Sequence, residues 1–188
     1  MNRLSVIMLL GLAALPLAAQ SDPAANPLAT WLRGAYMGNL NNILRTAEKM
    51  PEEFYDLRPG PQQEVRTFGQ QVGHLANYNY LRCSQAKVEK NPNAGQNLEK
   101  LGSKAEFIKA LTDARAYCEG VYNSLTDASG AETIEITTEG GQTRKQLRMG
   151  LLILNYAHNN EIYGSMVSYM RMKSIVPPAS EPRPQQKK

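Results

Sequence analysis

The chain holds two histidines, His74 and His158, the side chains best suited to metal ligation and to proton transfer near neutrality. His158 opens the stretch His158-Asn-Asn-Glu-Ile-Tyr-Gly164, which reads as half of a metal motif on a helix. One turn later, where a second ligand would stand, is Ile162, which has no lone pair to donate. The bland reading is a histidine satisfied within a core, since Leu147, Leu151, Leu154, Ile162 and Met166 fall on one stripe with it. Cys83 and Cys118 are the only cysteines, too few and too far apart for a cysteine zinc site but enough for one disulfide in an oxidising compartment. Ser124, Ser165 and Ser168 have no histidine at a recognisable spacing, so nothing supports a serine hydrolase. Tyr78, Tyr80, Tyr156, Tyr163 and Tyr169 lie at helical spacings near the histidines and read as core or rim residues.

Four helical segments must position these groups. The first covers about residues 26–49, with Leu28, Trp31, Leu32, Tyr36, Leu40, Ile43, Leu44 and Ala47 at helical period. A proline-rich connection follows, packed by Phe54, Tyr55 and Leu57. The second segment opens at Thr67 with Gln70 completing a T-x-x-Q capping box, and the third at Ser103 with Glu106. The same signature at Thr143 and Gln146 predicts that the fourth begins there and runs to about Ser174. Before it, Thr133–Thr138 alternates well enough for a short strand or an extended loop. Gly164 in the fourth segment is read as admitting a closely packed neighbour. Four helices of this length around one core make an all-α four-helix bundle.

The ends of the chain differ from this core. Arg3, an apolar run over Leu4–Leu17, then Ala18 and Ala19 have the layout of a secretory signal peptide. The expected organisation is a signal peptide at 1–19, a bundle at 26–176 and a disordered tail at 177–188. The protein is therefore expected to be periplasmic or secreted, with no membrane association once the signal is removed. The formal net charge is +4 over the full chain, and losing Arg3 lowers it by one. No basic stripe is present, so nucleic acid is not an expected partner. No other partner is specified, and a homodimer is left open.

Three blocks in order and spacing resemble the DinB-like family of helical bundles: "MPEEFYDLRP", "RTFGQQVGHLANYNYLRC" and "HNNEIYGSMVSYMRMKSIVPP". The likeness spans roughly residues 28–180 and is nearest to exported members with two cysteines. It implies an up-down-down-up bundle with a divalent metal held by one histidine early in the second helix and a His-x-x-x-His pair in the fourth. In this chain His74 and His158 match two of those ligands, and the third position falls on Ile162. Two protein ligands fall short of the three usual for catalytic zinc. The expected site is therefore degenerate, with no cofactor or a weakly held divalent metal (zinc, nickel or iron); Glu161 is a candidate substitute donor but stands about 100° around the helix from Ile162. The reading is a binding or structural module. The alternative is a divalent-metal-dependent hydrolase or thiol transferase using His74 and His158; the resemblance implies a family whose members of known activity include thiol-dependent transferases and isomerases.

Helix geometry permits this pairing. At 1.5 Å per residue His74 lies about 24 Å above the far end of its helix, and His158 about 22 Å along an antiparallel fourth helix. Cys83 and Cys118 stand at nearly equal depth from the N-caps Thr67 and Ser103. If the second and third helices run parallel, a Cys83–Cys118 disulfide joins them.

Overall fold

The computed structural model describes residues 25–138 and 140–182, so the expected signal peptide and the last six residues lie outside it. Helix α1 (Pro27–Lys49) starts with proline, whose missing N–H is no loss in a first turn. Its free backbone N–H groups at Leu28 and Ala29 donate to the Asp127 carboxylate, at 3.3 and 2.8 Å. Helices α2 (Phe68–Lys87) and α3 (Lys104–Ser124) begin with the two expected capping boxes, at Thr67/Gln70 and Ser103/Glu106. A one-turn helix, α4 (Asp127–Gly130), was not expected and carries its own capping box, Thr126/Ser129.

The fourth long helix starts later than the sequence suggests. Thr143–Leu147 is strand β2, paired antiparallel with β1 (Thr133–Thr137) from Thr133↔Leu147 to Thr137↔Thr143. Helix α5 therefore runs Arg148–Met172. The hairpin prevails because β1 alternates outward threonines and glutamate with Ile134 and Ile136, which are 8% and 6% exposed. Gly141, at φ 75°, supplies the left-handed residue of its turn. Consequently Leu147 and Leu154, placed on the inward stripe by the sequence reading, are exposed. Leu28 and Trp31 of α1 are exposed as well, and Ala29, Leu32 and Tyr36 carry its inward face. A Cβ at Gly164 would meet nothing within 4 Å, so that glycine admits no close neighbour.

Contacts along the helices set their directions. The N-terminus of α1 lies at α4, just past the end of α3, while Lys104 at the start of α3 donates to the Glu48 and Met50 carbonyls at the end of α1. Those two helices are antiparallel. Gly69 packs on Phe107, and Cys83 is bonded to Cys118, so α2 and α3 run parallel. Phe68 meets Tyr169 and His74 meets His158, so α5 runs back against α2. The bundle is up-down-down-up. Its centre holds the stacked rings of Tyr36 and Tyr122, 3.9 Å between centroids, among Leu40, Leu75, Leu111, Leu151 and Met166.

The disulfide is fully buried and closes a sequence separation of 35 residues. By loop entropy a link of that span contributes about 3–4 kcal/mol. Residues 177–182 depart from the disordered tail expected of them. Pro178–Ser180 forms a 3-10 turn, and Glu181 pairs with Arg45 and Lys49 of α1, each at 2.6 Å.

Candidate functional site

Helix α2 carries His74 and antiparallel α5 carries His158 to the same level, where their Nε2 atoms are 2.9 Å apart. The outer nitrogens each face a carboxylate: His74 Nδ1 is 2.9 Å from Glu99 Oε1, and His158 Nδ1 is 3.1 Å from Glu161 Oε2. The four side chains form one hydrogen-bonded row, Glu99–His74–His158–Glu161. Ionised carboxylates only accept, so each Nδ1 carries a proton, and the close Nε2 pair needs one more between them. Burial, then the Arg66 guanidinium, lowers the His74 pKa against the opposing pull of Glu99. Burial pushes Glu99 up, but the bonds from Arg66 and His74 together hold its carboxyl below the usual range.

Glu99 was not among the sequence candidates. It arrives on a 3-10 turn, Leu98–Lys100, pressed against α2 at Gly73, where a Cβ would stand 2.6 Å from the Leu98 carbonyl carbon. Asn77 pins the preceding loop: its Oδ1 accepts from Asn93 Nδ2 and the Leu98 N–H, at 2.9 and 3.2 Å. Arg66 Nε then donates to Glu99 Oε2 at 2.8 Å, while the Arg66 carbonyl accepts from the Tyr169 hydroxyl. The only sequence signal for Glu99 was an acid within a polar loop.

Of the tyrosines near the site, Tyr78 is the one in contact with the histidines. Its ring centroid is 4.0 Å from that of His158, and the Arg82 guanidinium lies 4.8 Å from the Tyr78 centroid. Tyr80 instead packs on Tyr117, and Tyr156 meets the exposed Trp31 edge-on. A cleft of about 790 Å³ opens beside this column, between α2, the 91–99 loop and Thr137–Thr138 at the end of β1.

The donor set does not fit a three-ligand metal centre. Ile162 is 7% exposed and places hydrocarbon at the third ligand position. Glu161 does not replace it, because its carboxylate binds His158 Nδ1, on the opposite side of the ring from the converging Nε2 atoms. Among the described residues no three His, Cys, Asp or Glu side chains are grouped to hold a metal ion. Carboxylates on Nδ1 are the usual outer partners of metal-bound histidines, so the row keeps the second layer of such a site without its third ligand.

Comparison with known proteins bears on this arrangement. A family model described as the DinB superfamily matches residues 36–159, from the middle of α1 to the residue after His158. The structure is similar to the crystal structure of a DinB-like protein from Bacillus subtilis, with a TM-score of 0.62 and 16% identity. That likeness covers 84% of this chain and 99% of the other, and it speaks to the fold. No curated protein matches the sequence.

Proposed function

We propose, for a chain that belongs to the DinB superfamily, that it acts as an exported binding module whose two-histidine site has closed on itself rather than around a metal. The observation that carries this reading is the direct Nε2–Nε2 bond of 2.9 Å between His74 and His158. The placing of the chain among exported two-cysteine members draws support from the buried Cys83–Cys118 disulfide. The signal-peptide layout of residues 1–19 supports it independently.

Metal analysis of untagged protein, together with the Ile162→His variant, tests the reading. The unmodified protein is expected to carry well under one equivalent of zinc, nickel or iron. Ile162→His is expected to gain metal, because it restores a third donor one turn from His158. Stoichiometric metal in the unmodified protein would overturn the closed-site reading in favour of a divalent-metal-dependent hydrolase or thiol transferase. Failure of Ile162→His to gain metal would remove residue 162 from the ligand geometry.

A further inference from the structure

The cleft beside the histidines carries a cation that no carboxylate among the described residues neutralises. Helix α2 turns His74, Tyr78 and Arg82 toward it at four-residue spacing, each about 6 Å beyond the last along the axis. The two arginines of the wall differ. Arg66 is committed to Glu99 at 2.8 Å, whereas Arg82 pairs with no carboxylate among the described residues. Arg82 Nη1 donates to the neutral Gln85 amide at 3.1 Å, its buried Nε meets no acceptor among the described residues, and its guanidinium carbon lies over the Tyr78 ring, 4.8 Å from the centroid. A guanidinium held over an aromatic ring and by one hydrogen bond, with donors left over, is preorganised for a carboxylate.

The remaining walls restrict what could bring that carboxylate. Leu81 and Ala94 are the only purely hydrocarbon side chains in the lining, and Gln96 and Thr137 present polar groups from opposite sides. The volume of about 790 Å³ suits a small molecule. Among the described residues, Arg66, Arg82 and Glu99 are the formally charged side chains of the lining and leave one net positive charge. A monoanion balances it. A phosphate dianion would bring a second charge close to Glu99 in a half-buried site.

We propose that this cleft binds a small polar monocarboxylate, its anionic end on Arg82 and its body along Tyr78 toward the histidines. The proposal rests on the closed-site reading above, since it requires no metal. It is tested by following backbone amide signals of α2 in NMR titrations of the signal-cleaved chain in carboxylate-free buffer. Protein stripped of metal on chelating resin and the same protein with added zinc are titrated with 4-acetamidobutyrate, its neutral analogue 4-acetamidobutyramide, and inorganic phosphate.

Saturable shifts around Tyr78 and Arg82 are expected with 4-acetamidobutyrate in the metal-free protein. The neutral analogue and phosphate should bind at least tenfold more weakly. Arg82→Gln should weaken carboxylate binding at least tenfold, and Arg82→Lys, which keeps the charge but not the fork, should fall between. No saturation with or without zinc overturns this proposal alone. Binding only with zinc overturns the closed-site reading along with it. Equal binding of the neutral analogue or of phosphate, or unchanged affinity in a folded Arg82→Gln or Arg82→Lys, overturns the assignment to Arg82 and a carboxylate.

Discussion

Asn79 is fully buried, and both ends of its side-chain amide are hydrogen-bonded. Its Oδ1 accepts from the Tyr36 hydroxyl at 2.9 Å, from Asn155 Nδ2 at 3.0 Å and from Asn159 Nδ2 at 3.3 Å. Its Nδ2 donates to the Leu75 carbonyl and to Asn159 Oδ1, at 2.8 and 3.0 Å. The three residues of the His-Asn-Asn stretch thus face three ways. His158 meets His74, Asn159 meets Asn79, and Asn160 accepts from Asn39 of α1 at 2.9 Å. Apolar packing alone would tolerate a shift of α5 along α2, but the reciprocal Asn79–Asn159 amide pair does not, and it keeps the histidines level. Asn79→Ala would strand the Tyr36 hydroxyl and the Asn159 amide in the core, while Asn155 Nδ2 keeps the Tyr122 hydroxyl at 3.3 Å. At about 1–3 kcal/mol for each stranded group, partly relieved by relaxation, the expected loss is about 3–5 kcal/mol. Urea unfolding followed by circular dichroism measures it. A loss under about 1 kcal/mol would show that packing, not the amide network, sets the register.

At the scale of elements, the helices were legible because their spacing is local and their rise is constant. Capping boxes at Thr67 and Ser103 located two starts correctly, and depth arithmetic from them paired His74 with His158 and Cys83 with Cys118. The same signature failed at Thr143. Thr-x-x-Gln describes a strand as readily as a cap, and the β1 partner that decides the matter lies outside the local pattern. Glu99 and the cleft were illegible for a related reason. They depend on where a loop docks, and its closest approach to α2 is at Gly73, beside the Asn77 bonds that pin it. Gly73→Ala makes that dependence measurable, since alanine favours a helix by about 1 kcal/mol. Here, however, the new methyl would collide with the Leu98 carbonyl. The turn must lift, and Glu99 leaves His74. The urea midpoint is expected to fall, and the proton on His74 Nδ1 to lose its hydrogen-bonded NMR shift. Gly164→Ala on α5, with no atom within 4 Å of the new Cβ, is the matched control and should gain up to about 1 kcal/mol. If both variants gain, the turn does not rest on Gly73.

For the molecule as a whole, burial of phenols couples stability to alkaline pH. Burial, then neighbouring Tyr122, raises the Tyr36 pKa well above its ordinary value of 10.0. Burial raises Tyr122 against a small opposing effect of the Asn155 hydrogen bond. Tyr55 is raised by burial, then by Glu52 and Glu48. The sign follows from the unfolded chain, whose phenols titrate near pH 10. Below that pH both states keep these protons and the stabilisation is fully present. Above it the unfolded chain releases protons that the folded chain retains, so stability falls with rising pH until the folded phenols themselves titrate. The urea midpoint is therefore expected to be flat with respect to these three groups up to about pH 9 and to drop steeply beyond about pH 10. Tyrosinate absorbance at 295 nm should rise in two stages. The last stage, from Tyr36, Tyr55 and Tyr122, should come only together with loss of helical circular dichroism. The bundle centre is built from the Tyr36–Tyr122 stack and the Asn79 network it bonds to, so an ionised phenolate there would lose the hydrogen that Tyr36 donates to Asn79. Full tyrosinate absorbance with the helical signal intact would mean that the centre admits water and charge, and that the amide network is not sealed.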